Sequence, residues 1–179
     1  MQQSVAGDVT IRGATLGDAS LLASVAERLF RDTFARDNTG ADMDAYVAAT
    51  FSVARQSAEL ADPRVTVLLV EWGAMTIGYA QLLEARASGG AVPMPTIELQ
   101  RFYVDPAFHG AGVARALMDE VISIAASRGF ASVWLGVWER NARAIAFYRK
   151  CGFTDIGSQP FVLGSDVQTD RLMYRSVAS

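Results

Sequence analysis

The residues whose types and spacing could do chemistry gather in Leu99-Gln-Arg-Phe-Tyr-Val-Asp-Pro-Ala-Phe-His-Gly-Ala-Gly-Val-Ala-Arg-Ala-Leu-Met118, where an extended segment passes through a glycine-bearing loop into an amphipathic helix. Gly110 and Gly112 let the backbone approach a ligand closely, and the helix that follows offers unpaired N–H groups and the positive end of its dipole to an anion. A strand, loop and helix start in this order read as a pyrophosphate cradle, with His109, Gly110, Ala111, Gly112, Val113, Ala114 and Arg115 as the residues around the anion.

Spacing argues against two other phosphate loops. A dinucleotide fingerprint needs G-x-G-x-x-G and an acidic residue about 20 positions on; here Arg115 stands where the third glycine would be, and Asp119 and Glu120 come too early. A Walker loop needs G-x-x-x-x-G-K-[ST], and the single lysine, Lys150, is far from the glycines. One histidine (His109) and one cysteine (Cys151) cannot make a metal site of the usual N/S type. Cys151 ends a helical segment where a small buried hydrophobe is common.

A second motif lies downstream, Asn141-Ala-Arg-Ala-Ile-Ala-Phe-Tyr148-Arg-Lys-Cys-Gly-Phe153. Together the two segments resemble the GCN5-related N-acetyltransferase (GNAT) superfamily, whose acetyl-CoA loop reads [QR]-x-x-G-x-[GA] and whose next helix reads N-x-x-A-x-x-F-Y-x-x-x-G-F. The second match is nearly complete, while in the first His109 stands where the family usually carries Gln or Arg. The segments Phe161 to Met173, Trp134 to Glu139 and Glu98 to Arg101 are similar to the bacterial spermidine/spermine N-acetyltransferase-like (PaiA-type) branch.

The resemblance implies an α/β GNAT fold over residues 1–179, with a mixed, mostly antiparallel sheet, one splayed strand and flanking helices. It implies acetyl-CoA as co-substrate, no metal, and direct attack of a primary amine, a polyamine or similar small amine, in a ternary complex. Main-chain groups of Phe102, Tyr103 and Val104 would hold the pantetheine arm and the acetyl carbonyl, with a backbone N–H as oxyanion donor. Tyr148 matches the family tyrosine that protonates the CoA sulfur; the alternative is a buried aromatic beside Phe147. Asn141 matches the residue that caps its helix and reaches toward the pantetheine.

Glu98 is the candidate general base, provided its side chain faces the cleft; the alternative is an edge carboxylate paired with Arg101. Asp37, Asp42 and Asp44 are candidates to attract distal ammonium groups, or else caps and surface charges. Other acceptors compatible with the motifs are a protein or peptide N-terminus, an amino acid or an aminoglycoside, and a CoA-binding regulator without turnover is the reading from another class. Family resemblance also implies a possible homodimer through the C-terminal strands.

Composition is compatible with this reading. With 179 residues and 51% hydrophobic content the chain can build one core. A net charge of -3 and a pI near 5.1 argue against a nucleic-acid partner. The charge is uneven: residues 1–100 carry twelve acids and seven bases, residues 101–179 seven acids and nine bases, as expected if an acidic half faces a cationic substrate and a basic half an anionic cofactor. With neither an apolar run of membrane-spanning length nor a leader pattern at the start, the expected location is the cytoplasm.

The elements that must position these residues follow from periodicity. A strand is expected at Val9 to Arg12, a helix capped by Asp18 running to Phe34, a second around Met43 to Phe51 and a third from Val53 to Ala61. Val65 to Trp72 and Met75 to Leu83 read as a hairpin, Ser88 to Pro95 as a loop, and Thr96 to Val104 as the strand entering the cradle. The cradle helix should stop at Arg128-Gly129. A strand from Ala131 to Trp138, the helix after Asn141, and two strands around Phe153 to Val162 and Gln168 to Arg175 complete the order.

Overall fold

Among the residues described by the computed structural model, 9–84 and 94–177, strands form at Val9–Gly13 (β1), Val65–Trp72 (β2), Met75–Leu83 (β3), Thr96–Val104 (β4), Ser132–Trp138 (β5), Thr154–Leu163 (β6) and Asp166–Ser176 (β7). Helices form at Ala19–Phe34 (α1), Gly40–Thr50 (α2), Val53–Ala61 (α3), Val113–Ser127 (α4) and Ala142–Lys150 (α5). Of the expected loop from Ser88 to Pro95, all but Met94 and Pro95 lies outside the described residues.

The strands join in the order β1-β2-β3-β4-β5-β7-β6, antiparallel except for the β4–β5 pair. Alternation along β2 shows how the two faces divide. Leu68 and Val70 pack with α4 and α5 residues Leu117, Val121 and Ile145, whereas Val67 and Leu69 pack with Leu22, Leu29, Met43 and Phe51 of the α1–α3 layer. Successive side chains point to opposite faces, so a single apolar strand feeds both cores.

Helix boundaries have local causes. Thr39 and Ser52 accept bonds from the amides of Asp42 and Arg55 and so cap α2 and α3. Asp18 corrects an expectation, because it precedes α1 without capping it. Its carboxylate instead accepts from Arg12 Nη2 at 2.8 Å and from the Thr15 amide at 2.7 Å. The Arg12 hydrogen bond, the Thr15 amide and the Arg12 charge hold Asp18 well below the usual carboxylate range.

Two irregularities of β4 decide what the cleft looks like. It pairs with β5 only from Thr96 to Glu98, opposite Ser132 to Trp134, and beyond that the strands diverge. On its other edge Gln81 faces Arg101 while Leu82 faces Leu99, so Gln100 is an extra residue. This bulge shifts the period by one: Ile97, Leu99, Phe102 and Val104 all join the α4/α5 core, and Tyr103 joins the α1–α3 layer.

Candidate active site

Where β4 leaves β5, a cavity of about 670 Å³ opens, lined by both strands, the cradle loop, α5 and the inner faces of α1, α2 and β7. Phe102, Tyr103 and Val104 line it beyond the last β4–β5 pair, on a strand edge with no neighbouring strand to bond. The cradle closes one end. Gly110 and Gly112 adopt φ of 81° and 84°, which L side chains rarely adopt, and an added Cβ would meet nothing within 4 Å at either. The glycines therefore answer a backbone need and leave open space above the loop.

The first α4 bond runs from the Ala116 amide to Gly112 O at 3.0 Å, which leaves the N–H groups of Val113, Ala114 and Arg115 without an intrahelical acceptor. These amides suit a pyrophosphate on charge and direction. Side chains contribute little: Val113 is buried in the core, and the Arg115 guanidinium pairs with Asp119 at 2.9 Å. His109, Gly110 and Ala114 line the cavity.

His109 bridges two elements. Arg143 can only donate, so Nδ1 of His109 accepts from it, and Nε2 must carry the proton donated to Val104 O at 2.8 Å. The imidazole thus ties the end of β4 to α5.

Asn141 caps α5, its Oδ1 accepting from the Ala144 amide at 3.1 Å, and it lines the cavity. Tyr148 is on the same wall with rings of Phe102, Phe147 and Phe153 within 6.2 Å. Burial pushes its phenol far above the ordinary tyrosine value, so it is protonated throughout the physiological range. Cys151 is buried and burial raises its thiol, which is the character of a core residue.

Glu98 lines the opposite side, half-buried, and desolvation pushes its carboxyl up. The alternative pairing with Arg101 does not occur. Arg101 instead binds Glu59 of α3 through two bonds of 2.6 and 3.1 Å, with Gln81 Oε1 accepting at 2.9 Å. The bulge at Gln100 and the position of α3 set this partnership, which no spacing within β4 announces.

The early acids take the second of their two expected places, away from the cavity wall. Asp42 accepts from the amide and hydroxyl of Ser165, at 2.7 and 2.9 Å, and so docks the β6–β7 turn onto α2. Asp44 pairs with Arg31 at 2.9 Å. Asp37 borders a separate depression of about 220 Å³ beside Trp138 and Asp166. The carboxylates on the cavity wall are Glu98 and Asp170. Sequence reading missed Asp170, although it lies inside the Phe161 to Met173 segment; only the face it takes on β7 reveals it. Its membership of the second half also breaks the simple division of an acidic from a basic half.

A profile of the Acetyltransferase (GNAT) family matches residues 27–153. The chain belongs to the GNAT acetyltransferase family. Like other GNAT enzymes it is an N-acetyltransferase that uses acetyl-CoA. Among its relatives, an uncharacterized N-acetyltransferase of Mycobacterium bovis is 36% identical over 160 residues, 89% of this chain and 98% of that protein. The N-alpha-acetyltransferase RimI of Mycobacterium tuberculosis is 31% identical over 166 residues, 91% of each. In fold, this GNAT chain is similar to the PaiA N-acetyltransferase from Thermoplasma acidophilum in complex with coenzyme A, with a TM-score of 0.77 at 20% identity over 94% of this chain and 98% of that one.

Proposed function

We propose that the chain is one catalytic domain over residues 1–179 that moves the acetyl group of acetyl-CoA to a primary amine of a small cationic acceptor, a polyamine or similar small amine, by direct attack in a ternary complex. The observation that carries this reading is the divergence of β4 from β5 after Glu98, which lays the Phe102 to Val104 edge, unpaired by any strand and with its Val104 carbonyl held by His109, along a cavity holding Tyr148 on one wall and Glu98 on the other.

The cradle amides of Val113 to Arg115 and the loop from His109 to Gly112 would hold the pyrophosphate, and Asn141 and the β4 edge the pantetheine arm. Acetyl-CoA supplies an acyl group activated by a thiol leaving group. Glu98 accepts a proton from the acceptor's ammonium, directly or through water, and its raised carboxyl is better matched to that task than an ordinary carboxylate. A β4 amide stabilises the charge that develops on the acetyl oxygen as the N–C bond forms. Tyr148 donates its proton to the sulfur as the C–S bond breaks.

A second reading, acetylation of a protein or peptide N-terminus, is supported by the 31% identical relative named for N-alpha-acetyl transfer. The absence of any helix long and apolar enough to cross a membrane among the described residues is compatible with a cytoplasmic enzyme. The outer position of β6 in the sheet, with Val162 exposed, is compatible with a homodimer.

The test is release of CoA thiol from acetyl-CoA across spermidine, spermine, putrescine, amino acids, aminoglycosides and short peptides. Saturable turnover confined to the polyamines is expected, and turnover confined to peptides would replace this reading by the second. Tyr148→Phe should lower kcat by about 10²-fold or more while acetyl-CoA binding changes less than twofold. Full activity of that variant over the whole pH range would refute the acid role.

A further inference from the structure

We infer that Asp170 binds a second cationic group of the acceptor, so that the site selects alkyl diamines over monoamines; this rests on the reading above that the acceptor is an amine. Asp170 lies in β7 opposite Trp138 of β5 and Gln159 of β6, and lines the cavity that also contains Glu98. Glu98 is opposite Trp134, four residues earlier on β5 than Trp138. That separation is about 13 Å along the strand, so a group at one carboxylate leaves the other for a distant part of the same ligand.

Three observations make Asp170 a binding group. Its carboxylate has no hydrogen-bond or ion-pair partner among the described residues, since the nearby arginines are committed: Arg171 to Asp155, Arg101 to Glu59 and Arg143 to His109. Lys150, also on the cavity wall, makes no ion pair with it. Burial accordingly lifts the Asp170 carboxyl to about 6, and a carboxylate desolvated without a counter-charge is costly until a cation arrives.

The second observation is Gly136. It has no positive φ, so its backbone does not require glycine, and glycine weakens a strand interior. A Cβ there would sit 3.2 Å from Asp170 Oδ2 and 3.5 Å from Gln159 Nε2. The missing side chain keeps room in front of the carboxylate. Third, the rings of Phe34, Tyr46, Trp138 and Phe161 line the same cavity, apolar faces suited to an alkyl chain and, through their π electrons, to an ammonium.

The experiment is calorimetric binding of diaminooctane and of octylamine to the full chain with CoA present, in parent, Asp170→Asn and Asp170→Glu, alongside acetyl-transfer rates for both amines. The parent should bind the diamine at least tenfold more tightly than the monoamine. Asp170→Asn should collapse that ratio to below threefold, and Asp170→Glu should restore most of it, which a merely structural role would not do. A parent with no preference for the diamine, no binding of either amine, or an Asp170→Asn variant that keeps the ratio overturns the inference. Turnover of octylamine with an unchanged ratio in Asp170→Asn would leave the acetyltransfer reading intact and remove only this one. A diamine bound through Asp170 but never acetylated would do the reverse.

Discussion

Replacing Glu59 by alanine should destabilise the domain far more than a surface change, because it strands a buried cation under the cleft. The side chains of Arg101 and Glu59 are 10% and 9% exposed. Glu59 accepts two bonds from Arg101, one from Arg55 at 2.9 Å and one from Gln81 at 3.2 Å. Breaking a buried pair from one side costs about 3–5 kcal/mol. Gln81 Oε1 and the Phe51 ring, 5.2 Å from the guanidinium, remain as partial partners, so the lower end, about 3 kcal/mol, is expected.

At roughly 2–4 °C per kcal/mol for a domain of this size, Tm should fall by about 6–12 °C. The double variant Glu59→Met with Arg101→Met should be less destabilised than the sum of the singles, since both charges leave together. Acid adds an independent check. Burial pushes the Glu59 carboxyl up, but the Arg101 hydrogen bond and charge, with Arg55 and Gln81, outweigh it and hold the group below its usual value. Its stabilisation is therefore complete above the unfolded value near 4.3 and is lost as pH falls through the lower folded value. Scanning calorimetry from neutral pH into this acid range should show that component in the parent and not in Glu59→Gln. A cost below about 1 kcal/mol for Glu59→Ala, or strictly additive singles, would refute the claim of a desolvated, coupled pair.

Glu98→Gln should remove the acid limb from the pH profile of kcat and lower kcat by about 10²-fold or more; because burial raises this carboxyl, the limb in the parent lies above the usual glutamate value, and a profile unchanged in the variant would exclude Glu98 as the base. Asn141→Ala loses the bond to the Ala144 amide and should cost about 1 kcal/mol, read as a melt lowered by roughly 2–4 °C with weaker acetyl-CoA binding. Gly164→Ala should undock the β6–β7 turn: at φ +61° the new Cβ would overlap Asp42 Oδ1 and come within 2.7 Å of its Cβ, and faster hydrogen exchange at the Ser165 amide is the readout.

Much of the molecule was legible before its coordinates. Periodicity placed α3 at Val53–Ala61 and β2, β3 and β4 at the bounds observed, because half-buried strands and amphipathic helices write their packing into residue spacing. Gly110, Gly112 and Asn141 were legible because local backbone chemistry constrains them. The partners of Arg101, Asp42 and Asp44 were not, since each lies in an element remote in sequence: Glu59, Ser165 and Arg31.

What the sequence by itself determined is therefore the order of elements, the cradle, the capped helix carrying Tyr148 and, through those motifs, the family. These are short-range properties, set by the side-chain period, the glycine dihedrals and the cap. Only the tertiary structure decided that β4 would leave β5 after Glu98, that one extra residue at Gln100 would put Phe102 rather than Tyr103 on the face of Leu99, and that Asp170 rather than the early acids would share the cavity with Glu98. The physical reason is that facing and desolvation depend on which strands pair and in what register, a choice made by the whole sheet rather than by any stretch of chain within it.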